Sequence, residues 1–178
     1  MSTWAARRVA CPCGHTFEAQ LADGLHITRL PEVRQRILDG TFHNATCPAC
    51  QVTRVVETKT LYTDFDRYHW VAIAPPWLVS DWQSWTSVVI EEFDHNMRVA
   101  APPMIRGLAE QFEVRLVFGL DALAEKLRAW DGGLDDRLIE AMKLQLLQQH
   151  TETVVRPGFR LRLAEVDRAA WTLTFSVL

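Results

Sequence analysis

Apolar and polar positions along this chain change period several times, and each change marks an expected element. Residues 16–20 alternate, with Phe17, Ala19 and Leu21 on one face, the period of a half-buried strand. Ala22-Asp23-Gly24 then carries a turn signature. Residues 31–38 have helical spacing, with Pro31 at the first position and Gly40 beyond the end. Strands are expected at 52–61 and 69–74, joined by a polar turn around Asp64 and Asp66.

Pro75-Pro76 breaks this pattern. From Ser80, a candidate N-cap, Trp82, Trp85, Val89, Phe93 and Met97 recur at helical spacing until Pro102-Pro103. A short helix is expected at 104–112, and a strand where Val114, Leu116 and Phe118 alternate. Two helices follow, 121–130 with Leu123, Leu127 and Trp130 on one face, and 134–150 with Leu138, Met142 and Leu146 on one face. A hairpin of 159–164 and 171–177 closes the chain, its strands alternating through Leu161, Leu163, Leu173 and Phe175. There is no internal repeat or low-complexity stretch.

Two cysteine clusters add chemistry to this outline: Cys11-Pro12-Cys13-Gly14 and Cys47-Pro48-Ala49-Cys50. Two close pairs of thiolates brought together by an intervening excursion are what a tetrahedral Zn²⁺ site requires. Competing readings meet specific objections. A disulfide within Cys11-Pro12-Cys13 would close a strained small ring, and Met1 to Arg8 has no apolar stretch of the kind a secretory leader carries. A redox Cys-x-x-Cys belongs at a strand-to-helix junction, whereas an expected strand follows Cys50. Free buried thiols are the remaining alternative. In a zinc knuckle the backbone turns tightly so that amide N–H groups point at sulfur, and Gly14 suits that turn. Gln51 occupies the equivalent place after the second pair. His15 and His43 are close enough in sequence to be alternative ligands, although Cys11, Cys13, Cys47 and Cys50 already complete a shell.

The expected fold is therefore α+β. A zinc-ribbon-like β subdomain with a helical insertion spans 1–74, and an α/β companion half ending in a β-hairpin spans 75–178, the two either separate or continuous.

The order of a Cys-Pro cluster, Arg34 to Gly40 (Arg-x-x-Ile-Leu-x-Gly), Cys47-Pro48-Ala49-Cys50 and Leu61-Tyr62-x-Asp64 resembles the CpXC domain family. Val117 to Leu120, Glu125-Lys126-Leu127 and Gly133 to Glu140 resemble that family's C-terminal part. The first cluster departs from Cys-Pro-x-Cys by being one residue shorter. The resemblance implies metal binding and a prokaryotic source, and implies no particular activity.

Hydrophobic residues make up 48% of the chain, and 19 basic residues stand against 22 acidic ones for a formal charge of −3. That balance gives no concentrated basic footprint for nucleic acid, and no apolar run is long enough to cross a membrane. A cytoplasmic globular protein is expected. Asp135, Asp136, Glu140 and Lys143 are a candidate acid–base or hard-cation cluster, against an ordinary dipole-complementing first turn and an i,i+3 ion pair. Glu125-Lys126 reads as a solvated helix face. No phosphate loop, Gly-x-Ser-x-Gly elbow or His-Glu-x-x-His is present. Seven tryptophans include Trp77, Trp82 and Trp85, a group read first as a core stripe and, if exposed, as a protein-binding surface.

These observations favour a binding module with one structural Zn²⁺ that contacts another protein as an adaptor or assembly component. A nucleic-acid-binding regulator, supported locally by Arg7, Arg8, Arg34, Arg36 and Arg54, is one alternative. An enzyme built on Asp135 and Asp136 is the other.

Overall fold

Thr3–Ala10 (β1) and Thr16–His26 (β2) form a long antiparallel hairpin that places Cys11 and Cys13 in its turn. The computed structural model describes residues 2–149 and 159–177. It divides into two units, Met1–Leu120 and Asp121–Leu178. The architecture is α+β with a mixed sheet and five α-helices among the described residues.

In the first unit, Pro31–Leu38 is α1, followed by the short strands Asn44–Thr46 (β3) and Thr53–Val55 (β4). Thr60–Asp64 is β5 and His69–Ala74 is β6. A 3₁₀ segment, Pro76–Asp81, leads into Trp82–Asp94 (α2), which runs on through a π-helical turn at His95–Val99. Pro103–Arg106 is α3 and Glu113–Phe118 is β7. The main sheet has the order β1-β2-β5-β6-β7. β2 pairs with β5 and β6 with β7 in parallel, and the other two pairings are antiparallel.

Parallel neighbours need crossover connections. The crossover from β2 to β5 holds α1 and the β3–β4 hairpin, with the second cysteine pair in its turn. The crossover from β6 to β7 holds α2 and α3. The sheet continues past residue 74, because β7 pairs with β6 along its whole length.

Three expectations are corrected here. Ala22-Asp23-Gly24 is no turn: β2 continues through it with a bulge at Asp23, Ala22 lying opposite Trp4 and Gly24 opposite Thr3 on one side and Leu61 on the other. A Cβ on Gly24 would lie 3.1 Å from Thr3 Oγ1, so the glycine serves close strand approach. Residues 52–61 are two strands in different sheets, β4 with β3 and β5 in the main sheet. Ser80 does not cap α2; it lies inside the preceding 3₁₀ segment, and Asp81 stands at the cap position.

The core follows from alternation. Leu21, Leu25, Tyr62 and Val71 are buried on the sheet, as are Val33 and Ile37 on α1. Trp70, Phe93, Met97, Ala109 and Phe112 form a second cluster, with Trp70 edge-on to Phe93 at 5.4 Å. Each such side chain contributes roughly 1.5–3 kcal/mol on burial.

In the second unit, Leu120–Asp131 (α4), Asp136–Gln149 (α5), Leu161–Asp167 (β8) and Thr172–Val177 (β9) follow the expected order. Leu163 lies opposite Phe175 in the β8–β9 hairpin and packs with Ala129 and Ile139. The expected helix end at His150 lies outside the described residues. On α5 the inward face is Asp136, Ile139 and Lys143, whereas Leu138 and Met142 are exposed. The expected Leu138–Met142–Leu146 stripe is thus displaced, because ion-pair partners on α4 draw the charged residues inward.

Candidate metal centre

Two hairpin turns converge to make the site. At the first, Cys11 N–H donates to His15 O (2.8 Å) and Gly14 N–H to Cys11 O (2.9 Å). At the second, Cys47 N–H donates to Val52 O (2.9 Å) and Gln51 N–H to Cys47 O (2.8 Å). The same two-bond enclosure is built twice, the second with one more residue. Each sets its pair of sulfurs on the inside of a tight turn.

Cys11 Sγ lies 3.6 Å from Cys50 Sγ, and Cys13 Sγ lies 3.8 Å from Cys47 Sγ. All four sulfurs fall within 4.8 Å of one another. A tetrahedron with Zn–S bonds of about 2.3 Å has edges of about 3.8 Å, whereas a disulfide would bring two sulfurs to about 2.05 Å. No cysteine is disulfide-bonded. The spacing is that of four ligands around one ion, and the soft all-sulfur donor set suits Zn²⁺. The cluster is able to hold a metal ion, and its arrangement is compatible with a zinc-ribbon-like site.

The thiols differ in acidity. Burial opposes ionisation of Cys47, but the amides of Cys50 and Ala49 and the thiols of Cys11 and Cys50 bring its pKa down to about 6. At Cys11 the amide of Cys13 acts in the same direction. Burial and hydrogen bonds to the Cys13, Cys50 and Cys47 thiols outweigh it and push the pKa up to about 12. Ionisation is favoured at Cys47, while burial and the neighbouring thiols hold the proton on Cys11. A divalent cation bound among the sulfurs would favour the thiolate form of all four and displace the protons.

Neither candidate histidine belongs to the group of ligand atoms. His15 is exposed and stacks on Phe17 at 6.5 Å. His43 is buried, stacks on Phe42 at 4.0 Å, and its Nε2 accepts the Ala22 N–H at 2.9 Å. It ties the base of the β3–β4 hairpin to β2. Burial pushes its pKa down to about 4, so it stays neutral and keeps that acceptor.

The acidic residues of the second unit have partners of their own. Arg137 clamps Asp135 with Nη2 at 2.7 Å and Nε at 3.0 Å, and these hydrogen bonds hold its pKa below the usual carboxylate range. Asp136 is buried beside Lys126 Nζ at 2.9 Å. Glu125, only 3% exposed, binds Lys143 Nζ at 2.5 Å, Arg162 Nη1 at 3.0 Å and the Leu163 N–H at 2.6 Å. Glu140 bridges Lys143 and Lys126 from the solvent side at 3.2 and 3.5 Å. Glu125-Lys126 is therefore no solvated face, since ion pairs and a backbone amide compensate the burial of Glu125. One sequence signal was available: Glu125 lies between Leu123 and Leu127, both fully buried on the same helix. Among the described residues, only the four cysteines are grouped as metal ligands.

The tryptophan group divides. Trp77 is 68% and Trp82 53% exposed, with Val79 open between them, while Trp85 is half-buried under the Lys59 ammonium. Only the later part of the expected stripe, Val89, Phe93 and Met97, is core.

No curated protein and no solved structure matches the chain. The family described as CpXC protein matches residues 9–143, from just before the first cysteine pair into α5. Both metal-site turns, α1 and the whole main sheet from β2 to β7 lie inside that span, and the chain belongs to the CpXC family.

Proposed function

We propose that this protein is a binding module whose architecture is held by one structural Zn²⁺ and whose role is to contact another protein, as an adaptor or assembly component in a prokaryotic cytoplasm. Cys11, Cys13, Cys47 and Cys50 are the ligands in this reading. Four thiolates saturate a tetrahedral ion and leave no position for water or substrate, so the metal stabilises structure and takes no part in turnover.

The observation that carries the protein-binding role is the exposure of Trp77 and Trp82 beside Val79, next to a core that buries Trp70 and Phe93. Three large apolar side chains exposed within six residues offer surface for a partner, and tryptophan is enriched at binding hot spots. Charge supports the same choice. Arg7, one of the five arginines that support the nucleic-acid alternative, is already ion-paired with Asp23, and the chain is net negative. Little electrostatic drive toward phosphate is left.

Cross-linking and affinity capture from the native host would compare the wild type with Trp77→Ser/Trp82→Ser. The expected result is a specific protein captured by the wild type and lost from the variant, with metal content unchanged. Equal capture by both, or sub-micromolar sequence-dependent binding to DNA or RNA at physiological salt, would overturn the reading.

A further inference from the structure

A cleft between α2 and the main sheet is built like a small-molecule site. Leu61, Ala72 and Leu116 lie in register across β5, β6 and β7, so all three project from the same face. The central position is alanine, and this leaves a hollow between two leucines. None of the three is fully buried, although they sit on interior strands or against them. Trp85, Val88, Val89 and Glu92 wall the hollow from α2 at i, i+3, i+4 and i+7, a single helix face. The cavity measures about 330 Å³, at the lower end of the roughly 300–1,000 Å³ usual for small-ligand sites.

The charges at the mouth are specific. Arg7 is taken up by Asp23. Lys59 holds its Nζ 4.0 Å above the Trp85 ring and meets no carboxylate within ion-pair distance among the described residues. An ammonium fixed over an aromatic face at the edge of an apolar hollow is a receptor for an anionic head whose body enters the hollow. With Arg7 paired to Asp23, Lys59 is left to meet an anion, while Glu92 on the α2 wall repels further negative charge, so a monoanion suits the cleft better than a multiply charged phosphate.

We infer that this cleft binds a small monocarboxylate with an apolar, preferably aromatic, body. The carboxylate meets Lys59, and the body packs on Leu61, Ala72 and Leu116 beside Trp85. This site is separate from the cysteine cluster and does not depend on the protein-binding reading.

The test is a titration of the isotope-labelled full chain, zinc-loaded, followed by NMR at the Trp85 indole N–H, with phenylacetate as probe. Phenylacetamide and inorganic phosphate serve as comparison arms. Saturable shifts with phenylacetate, at least three-fold weaker binding of phenylacetamide and no saturation with phosphate are expected. Lys59→Gln should erase the difference between acid and amide. Ala72→Leu should fill the hollow and weaken phenylacetate at least ten-fold, and the milder Ala72→Val should weaken it in part if the leucine variant does not fold. Absence of a saturable shift up to about 10 mM, where a millimolar dissociation constant would register, overturns the inference. So does equal binding of acid and amide, a preference for phosphate, or full affinity in the Ala72 variants.

Discussion

Gly14 and Gln51 occupy the same place in the two cysteine turns. Both are left-handed, at φ +88° and +61°, and each donates its N–H back to the first cysteine of its pair. Glycine takes this conformation freely, whereas glutamine pays roughly 1–2 kcal/mol. Gln51 recovers part of that through its side-chain amide, which donates to Pro48 O at 3.0 Å. A Cβ on Gly14 would meet nothing within 4 Å, so the whole cost of adding one is conformational. Gly14→Ala is expected to destabilise the metal-loaded protein by about 1 kcal/mol. Gln51→Gly should stay within about 0.5 kcal/mol of wild type, since relief of strain is offset by a freer unfolded chain and a lost hydrogen bond. Denaturant unfolding of both variants is the check, and a neutral Gly14→Ala would show that the first turn has another shape.

Metal loss should act first on the β3–β4 hairpin. Its strands have three residues each and β4 is wholly exposed, so it cannot hold itself together. β1 and β2, by contrast, pair over eight positions within the main sheet. Zinc binding in small modules supplies on the order of 10 kcal/mol. Chelation, or Cys50→Ser, should make the chain sensitive to trypsin at Arg54 while the segment from β5 to β6 stays protected. Unchanged resistance at Arg54 would mean that the hairpin is held by something else.

The convergence of the cysteine turns and the place of α1 are legible in the sequence because their determinants are local: thiol spacing, Pro31 at a helix start, Gly40 at φ +68° beyond its end. The failures are tertiary. Ala22-Asp23-Gly24 has turn composition, but strands on both sides pair with it and leave it no room to turn. The α5 face was misassigned because hydropathy treats Asp136 and Lys143 as outward, although Lys126 and Glu125 are there to receive them. Trp82 fitted a helical stripe, yet the stripe is covered only from Val89 onward. Periodicity identifies a face without identifying what covers it.

The Glu125–Lys143 pair gives an energetic prediction. Both side chains are almost fully inaccessible, and Glu125 also accepts from Arg162 and the Leu163 amide. Glu125→Ala leaves the buried Lys143 ammonium with only the half-exposed Glu140 and strands the Leu163 amide, and should cost about 3 kcal/mol. Glu125→Leu combined with Lys143→Met removes both charges and should cost clearly less than Glu125→Ala alone. Equilibrium unfolding of the two variants tests this, and a loss in the double variant as large as that of Glu125→Ala would contradict it.

His43 makes stability depend on pH. Its folded pKa, pushed down to about 4 by burial, lies below the ordinary histidine value of 6.5. Between those values the unfolded chain binds a proton that the folded chain refuses, so stability falls as pH falls through this window, by at most about 3 kcal/mol. Above pH 6.5 the effect is absent. Burial also lowers His26 and His69, which add to the same slope. His43→Gln keeps an acceptor for the Ala22 amide and should reduce the pH dependence measured from pH 6.5 to 4.5, leaving the part due to His26 and His69. A slope identical to wild type would contradict the assignment.

The metal itself is the central claim, because the converging turns and the sulfur spacing both refer to it. Elemental analysis of freshly purified full-length protein, expressed without added metal, measures it directly. The expected result is about one zinc per chain, as a closed four-thiolate site requires. A folded protein free of metal, with four thiols titrating as accessible, would contradict it.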